Sequence, residues 1–279
     1  MNGEPEPDIT RIELDLFVSA MRQRYGYDFS GYAPASLRRR VMRLAQQLGG
    51  GTISSLTERL LYQPQMLSDI LDGLSVPVSE MFRDPPVFKA LREEVLPWLA
   101  SFPHINIWQA GCAYGQEVYS LAILLEEAGL YHRSQIYATD ISPEALRQAE
   151  QGIYPAKEAQ QWSRNYLAAG GRHSLSDYYS ARYDLIKIDQ QLARNVVFAQ
   201  HNLVADNVFC EVQLVLCRNV LIYFSTPLQN QALELFRSSL SRGGFLCLGN
   251  RESLDFAPAA ADFTAVDAGL RLYRLPSTP

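Results

Sequence analysis

Four apolar runs end in residues able to do chemistry. Ile105–Ala110 leads into Gly111-Cys112-Ala113-Tyr114-Gly115-Gln116-Glu117. A glycine-flanked turn that opens into a helix brings backbone N–H groups against a bound ligand, although a ligand-free tight turn asks for the same glycines. No Gly-Lys-Ser/Thr follows and the spacing is not GxGxxG, so this is neither a phosphate loop nor a dinucleotide fingerprint. Gln135–Asp140 ends in an acid. At the carboxyl end of a second strand, Asp140 is positioned to accept hydrogen bonds from two ribose hydroxyls. The plainer role is a helix cap, which Ser142-Pro143 already supplies. Asn195–Asn202 ends in His201-Asn202-Leu203, and Val212–Cys217 runs into Arg218-Asn219, two polar residues between very apolar stretches. Before these, Ser-Glu-Met-Phe-Arg-Asp (79–84) offers Arg83, whose guanidinium could clamp a ligand carboxylate or merely pair with Asp84 at the surface.

The elements that must position these groups follow from periodicity. From Ile9 to about Ser75 the pattern is helical, with four expected helices; the second, Ser36–Leu48, would be capped by Ser36 and stopped by Gly49-Gly50-Gly51. Such a module is expected to hold little chemistry of its own. After residues 76–90, apolar runs alternate with amphipathic helices to the end of the chain. That alternation predicts a parallel sheet buried on both faces, closed by an antiparallel edge strand near Arg271–Leu275. Polar groups at four strand ends would then share one rim, where open α/β sheets bind ligands. Residues 153–194 interrupt the alternation as an insertion, with room for one helix and a short hairpin. The organisation is therefore a helical domain (9–75), a linker (76–90) and an α/β domain (91–279). Residues 1–8 are a polar lead-in.

Composition narrows the function classes. The chain has 279 residues with 25 basic against 30 acidic side chains, a formal charge of −5, the wrong sign for displacing counterions from nucleic-acid phosphates. No apolar stretch approaches the roughly 18 residues that cross a bilayer, and the acidic start lacks the apolar core of a signal peptide; a cytoplasmic protein is expected. Cys112, Cys210, Cys217 and Cys247 form no CxxC pair, and three of them lie in or beside apolar runs, so buried reduced thiols are expected there, with no metal site. Of the 25 basic residues 22 are arginine, whose planar fork pairs with carboxylates two bonds at a time.

In order, FRD, AGCxxGxEVYSLAI, ATDISPEALRQAExGIY, HNL, CRNVLIYF and GGFLCLGNRESL resemble the CheR-type chemotaxis protein-glutamate O-methyltransferases over about residues 10–275. The resemblance implies a class I methyltransferase sheet (Rossmann-like) with a small N-terminal all-helical domain. It implies S-adenosylmethionine (SAM) as methyl donor, S-adenosylhomocysteine (SAH) as product, and glutamates on chemoreceptor helices as acceptors. Carried over, Ser79 and Arg83 would hold the methionine part, with Glu117 facing it from the glycine turn at Gly111. Asp140 would bind the ribose, Asn202 and Leu203 the adenine, and Arg218 and Asn219 would line the site. Tyr223 would lie near the transferring methyl, with Arg83 and Tyr223 the catalytic pair. Gln116 and Pro77 depart from the family pattern, which motivates an alternative: a non-catalytic SAM-binding module in a signalling complex. A methyltransferase with another substrate is a third reading.

The helix Ser36–Leu48 carries Arg38, Arg39, Arg40 and Arg43, and no acid occurs from Phe29 to Thr57. Receptor helices bearing glutamates are acidic, so these arginines are expected to form a docking face, the bland alternative being a solvated helix side.

Overall fold

The computed structural model describes residues 8–75, 79–255 and 257–277. The expected lead-in falls outside them except for Asp8, and so does Pro77. Asp8 caps the first helix, accepting a hydrogen bond from the Thr10 N–H, and pairs with Arg38 at 3.1 Å.

The helical part comprises α1 (Ile9–Tyr25), α2 (Pro34–Leu48), α3 (Ile53–Tyr62) and α4 (Leu67–Leu74). Phe17, Met21, Val41, Leu44, Leu56, Leu60 and Ile70 meet in a core of their own. Ser36 is not the cap of α2. The helix starts two residues earlier at Pro34, whose missing N–H is harmless in the first turn, and the Ser36 hydroxyl instead accepts a hydrogen bond from Arg40 Nη2 at 3.1 Å.

The linker leads into α5 (Pro85–Ala90), a π-helical turn (Leu91–Val95) and α6 (Leu96–Leu99). The α/β part follows as β1 (Ile105–Ala110), α7 (Gln116–Glu127), β2 (Ser134–Asp140) and α8 (Pro143–Gln151). The insertion holds β3 (Ile153–Pro155), α9 (Ala159–Ala168), β4 (Tyr179–Arg182) and β5 (Leu185–Ile188). Rather than a hairpin alone, its strands form a separate three-stranded sheet in the order β3-β5-β4. The chain then returns as β6 (Val196–Gln200), β7 (Val212–Cys217), α10 (Thr226–Ser239), β8 (Leu240–Leu248), β9 (Thr264–Asp267) and β10 (Leu272–Arg274).

The main sheet has the order β6-β2-β1-β7-β8-β10-β9. Its first five strands are parallel, and β10 runs antiparallel against β8 as the terminal apolar pattern predicts, but it is not the expected edge: β9 pairs with its other side and closes the sheet. Strand β9 carries four exposed residues; with no buried face it left no periodic signal. One apolar layer, with Ile107, Leu121, Ile123 and Leu216, packs below the sheet, and a second, with Trp108, Val215, Phe236 and Leu246, packs above it. Chain order reverses between β1 and β7, so the carboxyl ends of these two strands form the switch point where such sheets bind ligands.

Candidate active site

A cleft open to solvent lies over that switch point. The sheet contributes Gly111, Ala113, Asp140, Ile141, His201, Asn202, Leu203, Asn219, Val220 and Tyr223, and the helical part contributes Phe29, Tyr32, Arg40, Leu74 and Ser75. The structure thus brings together Gly111, Asp140, Asn202, Leu203, Asn219 and Tyr223. It also corrects the expectation that the helical module holds little chemistry, because that module roofs the cleft.

The floor begins at the turn after β1. Gly111 (φ +69°) and Gly115 (φ +85°) occupy the left-handed region, and a Cβ on Gly111 would lie 2.3 Å from Val220 Cγ2. Asp140 binds this turn to the next one: Oδ2 accepts from the Ala113 N–H at 2.9 Å and Oδ1 from the Ser142 N–H at 3.0 Å. Each oxygen keeps acceptor capacity for a hydroxyl. Ser142, not Asp140, caps α8, accepting from the Ala145 N–H at 2.9 Å. Burial pushes the Asp140 pKa up from its usual 3.8, opposed by the Ser142 and Ala113 N–H groups. Asn202 Oδ1 accepts from the Val204 N–H at 3.0 Å, which turns the amide nitrogen into the free donor of that side chain. His201 Nδ1 is buried and lacks a partner among the described residues.

Arg218 does not line the cleft. Its fully buried guanidinium pairs with Glu117 Oε2 at 2.5 Å and Asp84 Oδ2 at 2.6 Å, and donates to the Arg83 carbonyl at 3.1 Å. Glu117 Oε1 accepts from Gln109 Nε2 at 2.9 Å. Arg218 therefore ties the linker to the sheet and to the first turn of α7, joining Arg83, Glu117 and Asp84 in a cluster that adjoins the cleft through Asn219. The plainer alternative for Arg83, a surface pair with Asp84, is not formed: Asp84 pairs with Arg218. Phe82 (φ +52°) and Asp84 (φ +56°) are both left-handed, at a cost of about 1–3 kcal/mol each for such positions. The strain is held in place because the Phe82 N–H donates to Ser120 Oγ at 2.8 Å and its ring meets Phe88 and Tyr166 edge-on at 5.2 Å. Ser79 lies on the same linker, half-buried. Gln116 is buried, and its Oε1 lacks a partner among the described residues.

Arg40 is a further correction. It faces inward rather than toward a partner: its guanidinium stacks 4.4 Å from the centre of the Tyr223 ring and donates to the Leu74 carbonyl. The signal was present in the sequence, since Arg40 shares a helical stripe with Leu37, Val41 and Leu44, all buried. Arg38, Arg39 and Arg43 remain exposed, flanking a shallow depression with Met42 and Gln46. The arc before α2 also pairs with the Tyr223 loop, the Ala33 N–H donating to the Tyr223 carbonyl at 2.8 Å and the Ser225 N–H to the Gly31 carbonyl at 2.7 Å. Sequence reasoning missed this bridge, which leaves no periodic trace.

Two family models match the chain. Residues 77–269 match the CheR methyltransferase SAM-binding domain and residues 12–75 the CheR methyltransferase all-alpha domain. The chain belongs to the CheR methyltransferase family. Relatives include the Pseudomonas putida protein Cher3, 48% identical over 265 residues (95% of this chain, 97% of the relative). Chemotaxis protein methyltransferase 1 of Pseudomonas aeruginosa is 30% identical (94% and 97% covered), and a chemotaxis protein methyltransferase of Listeria monocytogenes is 28% identical (89% and 92%). This CheR protein is a SAM-dependent methyltransferase with a class I fold. The non-catalytic alternative is not favoured, and Glu117 keeps a carboxylate in the turn beside Gln116.

The residues fit SAM. A half-saturated buried carboxylate at Asp140 suits vicinal hydroxyls, and the Asn202 amide nitrogen suits a ring acceptor. Ile141, Leu203 and Val220 supply apolar walls for a purine. An Asp140 that holds the ribose would accept from both hydroxyls only when ionised, so SAH affinity should be full above its raised pKa and fall as pH drops through it. The acid limb should therefore start at a higher pH than for a solvent-exposed aspartate. Calorimetric titration should show that limb in the wild type and not in Asp140→Asn, whose affinity is about 10- to 100-fold weaker, as expected from hydrogen bonds to a charged group of about 1.5–3 kcal/mol.

Proposed function

We propose that this CheR methyltransferase forms methyl esters on glutamate side chains of chemoreceptor cytoplasmic helices, acting in the cytoplasm. The observation that carries this reading is the two-sided character of α2. One side exposes Arg38, Arg39 and Arg43, and the other sends Arg40 onto Tyr223 in the cleft. A single helix thus couples an acid-seeking surface to the reacting end of the site. We assign residues 9–75 to receptor docking, 76–90 to the cofactor site and 91–279 to methyl transfer.

When bound, SAM supplies a methyl group already activated on a sulfonium. Ser79 and Arg83 would hold the methionine part, Arg83 on its carboxylate, and Glu117 would face that end from the glycine turn while its carboxylate pairs with Arg218, which fixes the backbone that carries Arg83. Asp140 holds the ribose, and Asn202 and Leu203 the adenine. Asn219 and Tyr223 line the path of the incoming side chain. A glutamate carboxylate is itself nucleophilic at neutral pH, so no general base is needed and the work of these residues is alignment in a near-attack geometry. Attack by a carboxylate on a cationic donor cancels charge. Phe29, Tyr32 and Leu74, by displacing water from the roof of the cleft, favour that change.

Incubating the protein with methyl-labelled SAM and a panel of chemoreceptor cytoplasmic fragments tests the reading. Label released as methanol by mild base is expected; base-stable label, or none on any fragment, contradicts it. Replacing Arg39 and Arg43 by alanine should raise the KM for the receptor fragment about tenfold, equivalent to about 1.4 kcal/mol, while SAH affinity holds. A KM unchanged at low and high salt would remove these arginines from docking.

A further inference from the structure

Glu252 lies on the turn after β8 and is almost completely buried. Its Oε2 accepts from the Gly249 N–H at 2.6 Å and the Asn219 N–H at 2.9 Å, and its Oε1 accepts from the Ile222 N–H at 3.4 Å. The two oxygens therefore grip both ends of one short segment, Asn219 at its start and Ile222 immediately before Tyr223. That segment joins β7 to α10 and lies in no strand, so its part-buried Asn219 and Ile222 N–H groups have no ladder partner and take an acceptor from elsewhere. Asn219 is in the left-handed region (φ +63°), a conformation that a non-glycine residue keeps only when its surroundings impose it. The carbonyls of the same segment are held separately: Gln229 Nε2 donates to Leu221 at 3.1 Å and Phe224 at 3.0 Å. The contact between the two turns is close, since a Cβ on Gly249 would lie 2.7 Å from the Asn219 nitrogen.

We propose that Glu252 is a positioning residue for methyl transfer: by bridging Asn219 and Ile222 it sets where the Tyr223 ring stands in the cleft. The proposal rests on the reading of Tyr223 as a residue beside the transferring methyl. A neutral side chain cannot reproduce the bridge. In Glu252→Gln the amide oxygen can keep the Gly249 and Asn219 N–H groups, but its nitrogen then faces the Ile222 N–H, donor against donor. The Asn219 end stays and the Tyr223 end is released.

Glu252→Gln should therefore lower kcat on a chemoreceptor fragment about tenfold, as expected for a misplaced reacting group, with the KM for SAM within about twofold. In a Tyr223→Phe background the same change should cost less than about twofold, because the two residues act on one chain of contacts. Glu252→Asp, which keeps charge but is too short to span both ends, should behave like the glutamine variant and covers the case in which the latter misfolds. Unaltered kcat, an equal loss with and without Tyr223, or a loss confined to the KM for SAM would each overturn the proposal. A readout independent of the acceptor is the 19F resonance of 3-fluorotyrosine at position 223 in the SAH-bound protein. Glu252→Gln should shift or broaden it, and an unmoved line contradicts the bridge. If the wild type methylates no receptor fragment, the receptor reading fails, and the fluorine measurement still decides the role of Glu252.

Discussion

The site depends first on one enclosed cation. Arg218, at the carboxyl end of β7, has no access to solvent and meets two carboxylates and a carbonyl from two distant parts of the chain, the linker and α7. Removing one partner of a buried ion pair costs about 3–5 kcal/mol, because the other charge is left desolvated and unpaired. That penalty makes the cluster close to all-or-none. The linker that bears Ser79 and Arg83, the first turn of α7 and the end of β7 are set together. The two left-handed residues flanking Arg83 persist because Arg218 and the aromatic contacts of Phe82 overdetermine them.

A second constraint acts from the opposite side. The Tyr223 segment is pinned from below by Glu252 and from above by its backbone bridge to residues 31–33, with Arg40 lying on the tyrosine ring. The proposed transfer of a methyl from a sulfonium to a carboxylate would ask for neither proton transfer nor a covalent enzyme intermediate. The conspicuous chemistry of the site is accordingly that of holding: buried carboxylates fixed by backbone N–H groups, and arginines whose forks bind carbonyls and carboxylates. The arginine-rich composition has a physical use here, since Arg218 spreads its donors over three acceptors, which a lysine ammonium does less selectively.

Much of the fold was legible because periodicity and burial coincide. The runs at 105–110 and 212–217 became strands with those bounds, and the acid, amide and glycine at the strand ends share one cleft. What escaped sequence reasoning has a common cause. The bridge at residues 31–33, the grip of Glu252 and the pairing of Asp84 with Arg218 are contacts between irregular segments far apart in the chain, and they leave no repeat to read. Arg40 differs, because its place on an apolar stripe was visible but was outweighed by its charge. For Arg218, a polar residue between two apolar runs correctly signalled burial with a partner. Whether that partner was a ligand or the protein's own carboxylates depended on where the linker folds, which local pattern does not specify.

The central claim, that Arg218 builds the methionine end of the site without touching the nucleoside end, is tested by comparing two ligands. SAH and 5′-methylthioadenosine share the nucleoside and differ in the amino-acid end. Their affinities should be measured by calorimetry for the wild type, Arg83→Ala and Arg218→Met, at a temperature where all three remain folded. The account predicts that both variants lose most of the preference for SAH while binding methylthioadenosine nearly as the wild type does. An Arg218→Met protein that keeps the full preference for SAH, or that loses both ligands equally, would contradict it.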